Sequence, residues 1–226
     1  MARLLSAIRE IRGQKANVLE TKTLAWKALS RRLMRLILRS VTGWMWVANM
    51  PAMPYKISTL LYCFDDSDRV LLLERAQEPN LGLWSPPGGK LQTETGESPY
   101  ACACREAGEE LGLRLSPEDL HLAGLISEHG YLGESHWLMF LFEVRPKLAA
   151  LPAPHREGRF QFFTRPALGD LRLPQTDQQR IWPWFWQHRG GFFAAHCHCH
   201  PNGTNEWTLE ESKGAARVDP RPSTPS

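Results

Sequence analysis

The sequence lacks a long hydrophobic run and carries little net charge. Its nearest candidate for a membrane span, residues 33–47, is interrupted by Arg35 and Arg39 and falls short of the ~20 apolar residues that cross a bilayer. The net charge of the 226 residues is only +3. We therefore expect a chain without a transmembrane segment, and we see no internal repeat that would suggest a solenoid.

Cysteine is also scarce. The chain contains five cysteines, an odd number that does not suit a complete disulfide framework, and we find no secretory signal peptide. These features favour reduced thiols and a cytoplasmic location.

The small net charge hides an uneven distribution. Residues 1–52 carry ten Lys or Arg and two Asp or Glu, a net of +8, whereas the remainder carries 17 against 22, a net of −5. A mildly acidic remainder gives no reason to expect a nucleic-acid-binding surface. We therefore predict a basic N-terminal extension at 1–52, a catalytic domain at 53–210 and a disordered tail at 211–226 that ends in PRPSTPS.

The N-terminal extension has three interpretations. Residues 26–47 fit a basic amphipathic helix that rests on an anionic membrane or on nucleic acid. They also fit an appended helix without a catalytic role. Alternatively, translation starts at Met53. We favour the last two.

Hydrophobic patterning predicts a mixture of strands and helices from residue 56 onward. Apolar and β-branched stretches bounded by turn residues are typical of strands. The predicted strands are 57–64, 70–75, 120–129, 137–144 and 159–164, with a closing hairpin at 192–200 and 206–209. A Trp-rich helix is predicted at 178–188, where Pro183 marks a start or a kink.

A short run with three glutamates, Glu106, Glu109 and Glu110, is the clearest sign of chemistry. With a rotation of ~100° per residue, the three carboxylates fall within an arc of ~100° on one side of a helix. Arg105 lies four residues before Glu109, a spacing that allows an ion pair. Carboxylates crowded in this way repel one another, and a hard divalent cation with oxygen ligands is the usual neutraliser.

Local signals place this run on a helix. Ser98 suits the cap and Pro99 suits the first turn. The small residues 101–104 can pack against a sheet, and Gly112 can end the helix in the left-handed conformation.

These residues resemble the box of the Nudix hydrolases, G-x5-E-x7-R-E-U-x-E-E-x-G-U, where U is a bulky aliphatic residue. Glu97, seven intervening residues and then REAGEELGL at 105–113 fit it. Two features depart from it. Seven residues instead of five separate Gly89 from Glu97, and Gly108 costs ~1 kcal/mol in a helix relative to Ala. Neither departure removes a candidate ligand.

The resemblance implies a mixed-sheet α/β/α sandwich over about residues 55–210 and hydrolysis of a nucleoside diphosphate linked to another moiety. It implies Mg²⁺, or Mn²⁺ in its place, as the cofactor. The metal ligands carried over from the family are Glu109 and Glu110, then Glu106 and the Gly88 carbonyl. Glu97 is expected to pair with Arg105 or, equally, to have another structural role.

The general base has no shared position in the family. Glu157 lies where a downstream basic or metal-binding glutamate often occurs, and Glu94 and Glu128 are weaker candidates. An isolated glutamate in a loop is also often merely solvated, so the two interpretations of Glu157 weigh equally.

Recognition of the substrate is expected to use aromatic stacking and a few polar contacts. The candidates are Trp84, Ser85, Lys90 and Asp177. Asp177 lies roughly where purine-reading members of the family place an acidic residue, although an N-cap for the following helix is the slightly favoured interpretation.

The tract His196-Cys197-His198-Cys199-His200 suggests zinc by composition. On a strand, however, the histidines face one side and the cysteines the other. We therefore favour a hairpin strand with cysteines inward and histidines outward.

Three functions stay open at this point. The leading hypothesis is a Mg²⁺-dependent nucleoside triphosphate pyrophosphohydrolase, with 8-oxo-dGTP as an example substrate, because residues 83–84 and the final helix and hairpin look most like the oxidised-purine branch. Tyr131, 18 residues beyond Leu113, is a weak signal for a dinucleoside polyphosphate or capped-RNA hydrolase. The third is a nucleotide sensor without catalysis. The oligomeric state is not indicated.

Overall fold

The computed structural model describes residues 53–214. The predicted helix at 26–47 lies outside the described residues, as does the tail beyond residue 214. Within 53–214, no helix combines the length and the apolar character that crossing a membrane requires.

Eight strands and two α-helices make up the described chain. The strands are β1 (Tyr55–Tyr62), β2 (Val70–Arg75), β3 (Trp84–Ser85), β4 (Leu120–Tyr131), β5 (Ser135–Val144), β6 (Gly158–Phe163), β7 (Phe192–Cys199) and β8 (Asn205–Lys213). The helices are α1 (Pro99–Leu111) and α2 (Trp182–Gln187), and a π-helical turn (Asp177–Ile181) leads into α2. Short 3₁₀ turns occur at Thr93–Thr95, Pro117–Asp119 and Pro166–Asp170.

The strands form two sheets. The larger has the order β1-β5-β4-β7-β8 and is mixed, because β1 runs parallel to β5 and β4 parallel to β7 while the other pairs are antiparallel. The smaller sheet has the order β3-β2-β6 and is antiparallel.

Successive residues of β1 pack into two separate hydrophobic clusters. Leu61 packs in a cluster with Ala103 and Ala107 of α1, whereas its neighbour Tyr62 packs in a second cluster with Phe185 of α2. Successive strand residues point to opposite faces, so the large sheet lies between the two helices. The predicted α/β/α architecture with a mixed sheet is confirmed.

Helix α1 forms where the sequence predicts it. The Ser98 hydroxyl accepts a hydrogen bond of 3.1 Å from the Ala101 amide, Pro99 lies in the first turn, and Gly112 ends the helix with φ +67°. Cys102 and Ala103 are fully buried against the sheet. Small side chains at this face let α1 approach β1 closely.

Several boundaries differ from the predictions. Strand β1 begins two residues earlier than expected, and β8 continues to Lys213, so residues 211–213 belong to a strand instead of the predicted tail. The expected Trp-rich helix begins as a π-helical turn, and α2 follows with Pro183 in its first turn. Because proline has no amide hydrogen to donate, it suits a helix start and not an interior position.

Loss of the α1 cap is expected to weaken the fold measurably. Ser98→Ala removes the acceptor of the Ala101 amide, and we expect the free energy of unfolding to fall by about 1 kcal/mol. Urea denaturation measures this change. Ser98→Asn is the control, because asparagine also caps helices, and equal losses in both variants would contradict the assignment of the cap.

Candidate active site

A glycine-containing segment at 86–89 forms one wall of the site by lying against β1. The Leu61 amide donates to the Pro87 carbonyl at 2.8 Å, and the Thr59 amide donates to the Gly89 carbonyl at 2.9 Å. Gly88 has φ +139°, and a Cβ at this position would collide with the Thr59 carbonyl. Only glycine allows this close approach, which leaves the Gly88 backbone beside the carboxylates of α1.

Arg105 lies at the centre of the glutamates. Its Nε and Nη2 bind the two oxygens of Glu97 at 2.8 and 3.0 Å, and its Nη1 reaches Glu106 at 2.7 Å and Glu109 at 3.2 Å. The hydrogen bond from Arg105 lowers the pKa of Glu97 to about 2 against the opposing effect of burial. The predicted pairs of Arg105 with Glu97 and Glu109 are both formed.

Glu110, the third glutamate of the run, is bound by a backbone amide and not by Arg105. Glu110 is 6% exposed, and the Gly88 amide donates to its Oε2 at 2.9 Å. Burial raises the pKa of Glu110 to about 7, the Gly88 amide opposes this rise, and the charges of Glu157 and Glu106 add to it. Burial likewise raises the pKa of Glu106, with Glu109 and Glu157 adding to the effect.

Part of this acidic group lines a cavity of about 460 Å³. The lining includes Gly88, Glu106, Glu109 and Glu157. Glu157 precedes β6, and its influence on the pKa of Glu106 and Glu110 places its charge among those of α1. Ser85 and Lys90 line the same cavity, as do three arginines, Arg75, Arg105 and Arg156.

The donor set suits a hard divalent cation. Several carboxylates are gathered at one place, two of them have raised pKa values, and a single guanidinium compensates three of the glutamates. Within residues 53–214, no three metal-ligating groups converge as the side chains are placed. A cation would therefore have to replace Arg105 as the partner of Glu106 and Glu109.

A second pair of acidic residues also lines the cavity. Glu128 of β4 and Asp177 both line it and are 2% and 6% exposed. Burial, and then the nearby Glu128 charge, raise the pKa of Asp177 to about 8. Burial also raises the pKa of Glu128 to about 7, although a hydrogen bond from Thr176 opposes the rise.

Trp137, Tyr131 and Asn80 line the same cavity as this acidic pair. Glu128 Oε1 and Trp137 Nε1 are buried with no hydrogen-bond partner among the described residues. The Tyr131 hydroxyl donates to Asn80 Oδ1 at 2.8 Å. The cavity therefore offers an unpaired donor and an unpaired acceptor to a ligand.

Two sequence interpretations need correction. Trp84 was expected in the substrate pocket, but it is buried in the core with its ring edge-to-face on Phe163 at 4.8 Å. Asp177 was expected as an N-cap, but Thr176 occupies that position without a capping bond, and Asp177 is the first residue of the π-helical turn. Glu94 is exposed in a 3₁₀ turn and does not line the cavity.

Sequence reasoning named Glu128 only as a weaker candidate and missed Trp137 and Asn80. A usable signal did exist for Glu128, because it lies two residues after the buried Ile126 on the same face of β4. A glutamate in phase with apolar, inward-facing positions is a candidate for a buried functional group. No sequence signal places Asn80 beside Tyr131, since that contact joins a loop to the end of β4, which is distant in the chain.

Comparisons with known proteins agree with this geometry. A family model of the NUDIX domain matches residues 54–185. A MutT protein from Bacillus halodurans is similar to this chain in structure, with a TM-score of 0.54 and 24% identity over 69% of this chain and 97% of that one. A MutT protein from Methanosarcina mazei Go1 has a TM-score of 0.50 and 25% identity over 61% and 95% of the two chains.

The buried carboxyl of Asp177 is expected to make stability fall as pH rises. Its pKa is higher in the folded protein, about 8, than its ordinary value of 3.8, so the folded state holds a proton that the unfolded chain releases. This contribution is complete below about pH 4 and is lost as the pH rises through about 8.

The test compares urea denaturation at pH 5.5 and pH 8.5. Asp177→Asn, which cannot ionise, is expected to reduce the difference in unfolding free energy between the two pH values by at least about 1 kcal/mol, the equivalent of less than one pKa unit. An exposed control, Asp170→Asn, should leave the difference unchanged. The same pH dependence in Asp177→Asn and in the unmodified protein would contradict a buried, protonated Asp177.

Proposed function

The chain belongs to the Nudix family, and from that premise we propose that it is a Mg²⁺-dependent nucleoside triphosphate pyrophosphohydrolase that acts on oxidised purine nucleotides such as 8-oxo-dGTP. Membership of the family makes the protein a Nudix hydrolase that acts on a nucleoside diphosphate derivative. The proposal adds the triphosphate substrate, the metal and the residues that act on them.

The observation that carries the proposal is the presence of two kinds of polar group in the lining of one cavity. The lining includes carboxylates of α1 with Glu157, and it also includes buried hydrogen-bonding groups around Asp177. A nucleotide has the matching chemistry, with anionic phosphates and a base with polar edges. The proposal assigns the first group to the phosphates, as the phosphate end, and the second group to the base, as the base end. A cavity of about 460 Å³ is also within the range of small-molecule sites.

The phosphate end would hold Mg²⁺ through carboxylates and one backbone group. We assign these ligands as Glu106, Glu109, Glu110, Glu157 and the carbonyl of Gly88. The cation, when bound, would neutralise phosphate oxygens and favour attack by water. Lys90 and Ser85, which line this cavity, would contact the phosphates and orient them.

Two residues have roles in proton transfer and positioning. Glu157 would accept a proton from the attacking water, since its carboxylate faces the acidic end of α1 without being one of the box residues. Arg105 would position the catalytic groups. Its guanidinium binds Glu97 and donates to the Lys90 carbonyl at 3.2 Å, and these contacts hold the loop at 90–97 in place. Its removal would leave several carboxylates uncompensated.

The two alternative functions receive less support. A dinucleoside polyphosphate or capped-RNA hydrolase was suggested by Tyr131, but the Tyr131 hydroxyl is engaged by Asn80 at 2.8 Å. A sensor without catalysis would have no need of the complete set of box carboxylates, and this chain retains all of them.

The proposal is tested by product analysis on a nucleotide panel with Mg²⁺. The panel contains 8-oxo-dGTP, the normal dNTPs, a diadenosine polyphosphate and ADP-ribose. We expect pyrophosphate and a monophosphate from a triphosphate, and Glu110→Gln should lower kcat by at least about a hundredfold because it removes a charge that holds the cation.

Glu94→Gln is the matched control, since Glu94 is exposed and outside the cavity, and it should retain full activity. Orthophosphate as the only product, or turnover confined to the diadenosine polyphosphate or to ADP-ribose, would contradict the triphosphate assignment. Near-normal turnover by Glu110→Gln would contradict its assignment as a ligand.

The base end is tested separately through binding. Asp177→Ala removes a buried hydrogen-bonding group, and we expect KM for the preferred purine triphosphate to rise about tenfold, equivalent to about 1.4 kcal/mol. The value of kcat should change much less, because Asp177 lies away from the phosphates. A fall in kcat with KM unchanged would show that Asp177 does not read the base.

A further inference from the structure

The tract at 196–200 places its two residue types on opposite faces of β7. Cys197 and Cys199 are buried, with their sulfurs 3.6 Å apart, whereas the three histidines are half-buried on the other face. The predicted arrangement is confirmed. It separates the thiols from the imidazoles, so a single metal ion cannot use both.

Strand pairing supplies the histidine face with partners that the tract itself does not contain. His129 of β4 is in register with His198 of β7, and His198 is in register with Glu206 of β8. The ring centroids of His129 and His198 are 4.5 Å apart, and the rings of His198 and His200 stack at 4.3 Å. Three imidazoles and one carboxylate therefore occupy one small area of the sheet.

His200 and Glu206 form an ion pair when His200 is protonated, with Nε2 and Oε2 3.4 Å apart. His200 Nε2 is buried and makes no hydrogen bond within the described chain. Two ligand atoms bound at about 2.1 Å to a tetrahedral Zn²⁺ ion lie about 3.4 Å apart. The separation of this nitrogen and this oxygen matches that requirement, and in the neutral ring with its proton on Nδ1 the nitrogen Nε2 has a lone pair to offer.

We propose that His200, Glu206 and His198 form a binding site for Zn²⁺ or a related late first-row divalent ion. Nε2 of His200 and Oε2 of Glu206 are the prearranged ligands, His198 supplies the third, and water completes the tetrahedron. Within residues 53–214, no three ligands converge as the side chains are placed, so the His198 ring has to turn out of its stack. The His198 side chain is half-exposed, so its ring has room to adopt another rotamer.

Two other histidines on this part of the sheet are not assigned as ligands. His136 Nδ1 accepts from the Gly130 amide at 3.0 Å, so in the neutral ring Nε2 carries the proton and cannot bind a metal. His196 Nδ1 lies 2.7 Å from the Ser127 hydroxyl, a contact that holds its ring away from the His200 and Glu206 pair. His196 belongs to the same strand and the same face as His198 and is therefore a close control.

The proposed site differs in chemistry from the carboxylate end of the cavity. Imidazole nitrogen binds zinc, nickel and copper in preference to Mg²⁺, whereas clustered carboxylates suit Mg²⁺. Excess Mg²⁺ therefore leaves the histidine site available while it competes for the carboxylates. The inference does not depend on the proposed substrate.

The test is a titration of the full chain with Zn²⁺ in excess Mg²⁺, followed by calorimetry and by the change in melting temperature. We expect one Zn²⁺ ion per chain at this site and an increase in melting temperature, because the ion joins β7 to β8 and binds only the folded protein. His200→Ala, Glu206→Gln and His198→Ala should each weaken binding at least tenfold, and His196→Ala should not. Co²⁺ in place of Zn²⁺ should give the intense visible absorption of a tetrahedral site.

Three results would overturn the proposal. The first is the absence of Zn²⁺ binding in excess Mg²⁺, and the second is equal Zn²⁺ affinity in the unmodified protein and in His200→Ala or Glu206→Gln. The third is a loss of Zn²⁺ affinity in His196→Ala as large as that in the three ligand variants. Retention of full affinity by His198→Ala alone would refute the three-ligand assignment. Circular dichroism of each variant without metal shows that its fold is retained.

Discussion

The contacts of Arg105 with the acidic side chains are the interaction on which the proposed site depends. Three glutamates crowd one side of α1 and a fourth, Glu97, faces them from the preceding loop. A single guanidinium touches Glu97, Glu106 and Glu109. Without this positive charge, partly buried carboxylates would repel one another and the loop at 90–97 would lose its attachment to the helix. A divalent cation can take the place of Arg105 beside Glu106 and Glu109, because it also supplies positive charge to these carboxylates.

Gly88 and the large sheet position the other acidic residues of the site. Because Gly88 packs against the Thr59 carbonyl, its amide reaches Glu110, the carboxylate that Arg105 does not contact. The same large sheet carries Glu128, which lines the cavity together with Asp177 from the turn that leads into α2. The fold thus brings an acidic group and a pair of buried, protonatable carboxyls to one cavity. That combination favours a ligand with an anionic part and a polar ring.

Local chemistry made part of this predictable from the sequence. The Ser98 cap, Pro99, the small buried face of α1 and the Gly112 terminus are short-range features, and each was found as predicted. The pair of Arg105 with Glu97 follows from the motif.

Contacts between distant segments were not predictable in this way. Trp84 was misplaced because one aromatic residue in a two-residue strand has no periodicity to show which way it faces. Asp177 was misread because a capping residue and a buried acid at a helix start look alike in sequence. The meeting of His200 with Glu206 depends on the register of β7 and β8, which composition does not reveal.

The central claim is that the glutamates of α1 hold a divalent cation at the phosphate end of the cavity. Electron paramagnetic resonance of Mn²⁺ tests it without a substrate, since the signal of free Mn²⁺ falls as the ion binds. Glu109 is the informative position because it is half exposed, with 57% of its side chain accessible, so that Glu109→Gln leaves the fold intact. The account predicts that the unmodified protein binds Mn²⁺ and that Glu109→Gln binds it at least tenfold more weakly. Equal binding by the two proteins would contradict it.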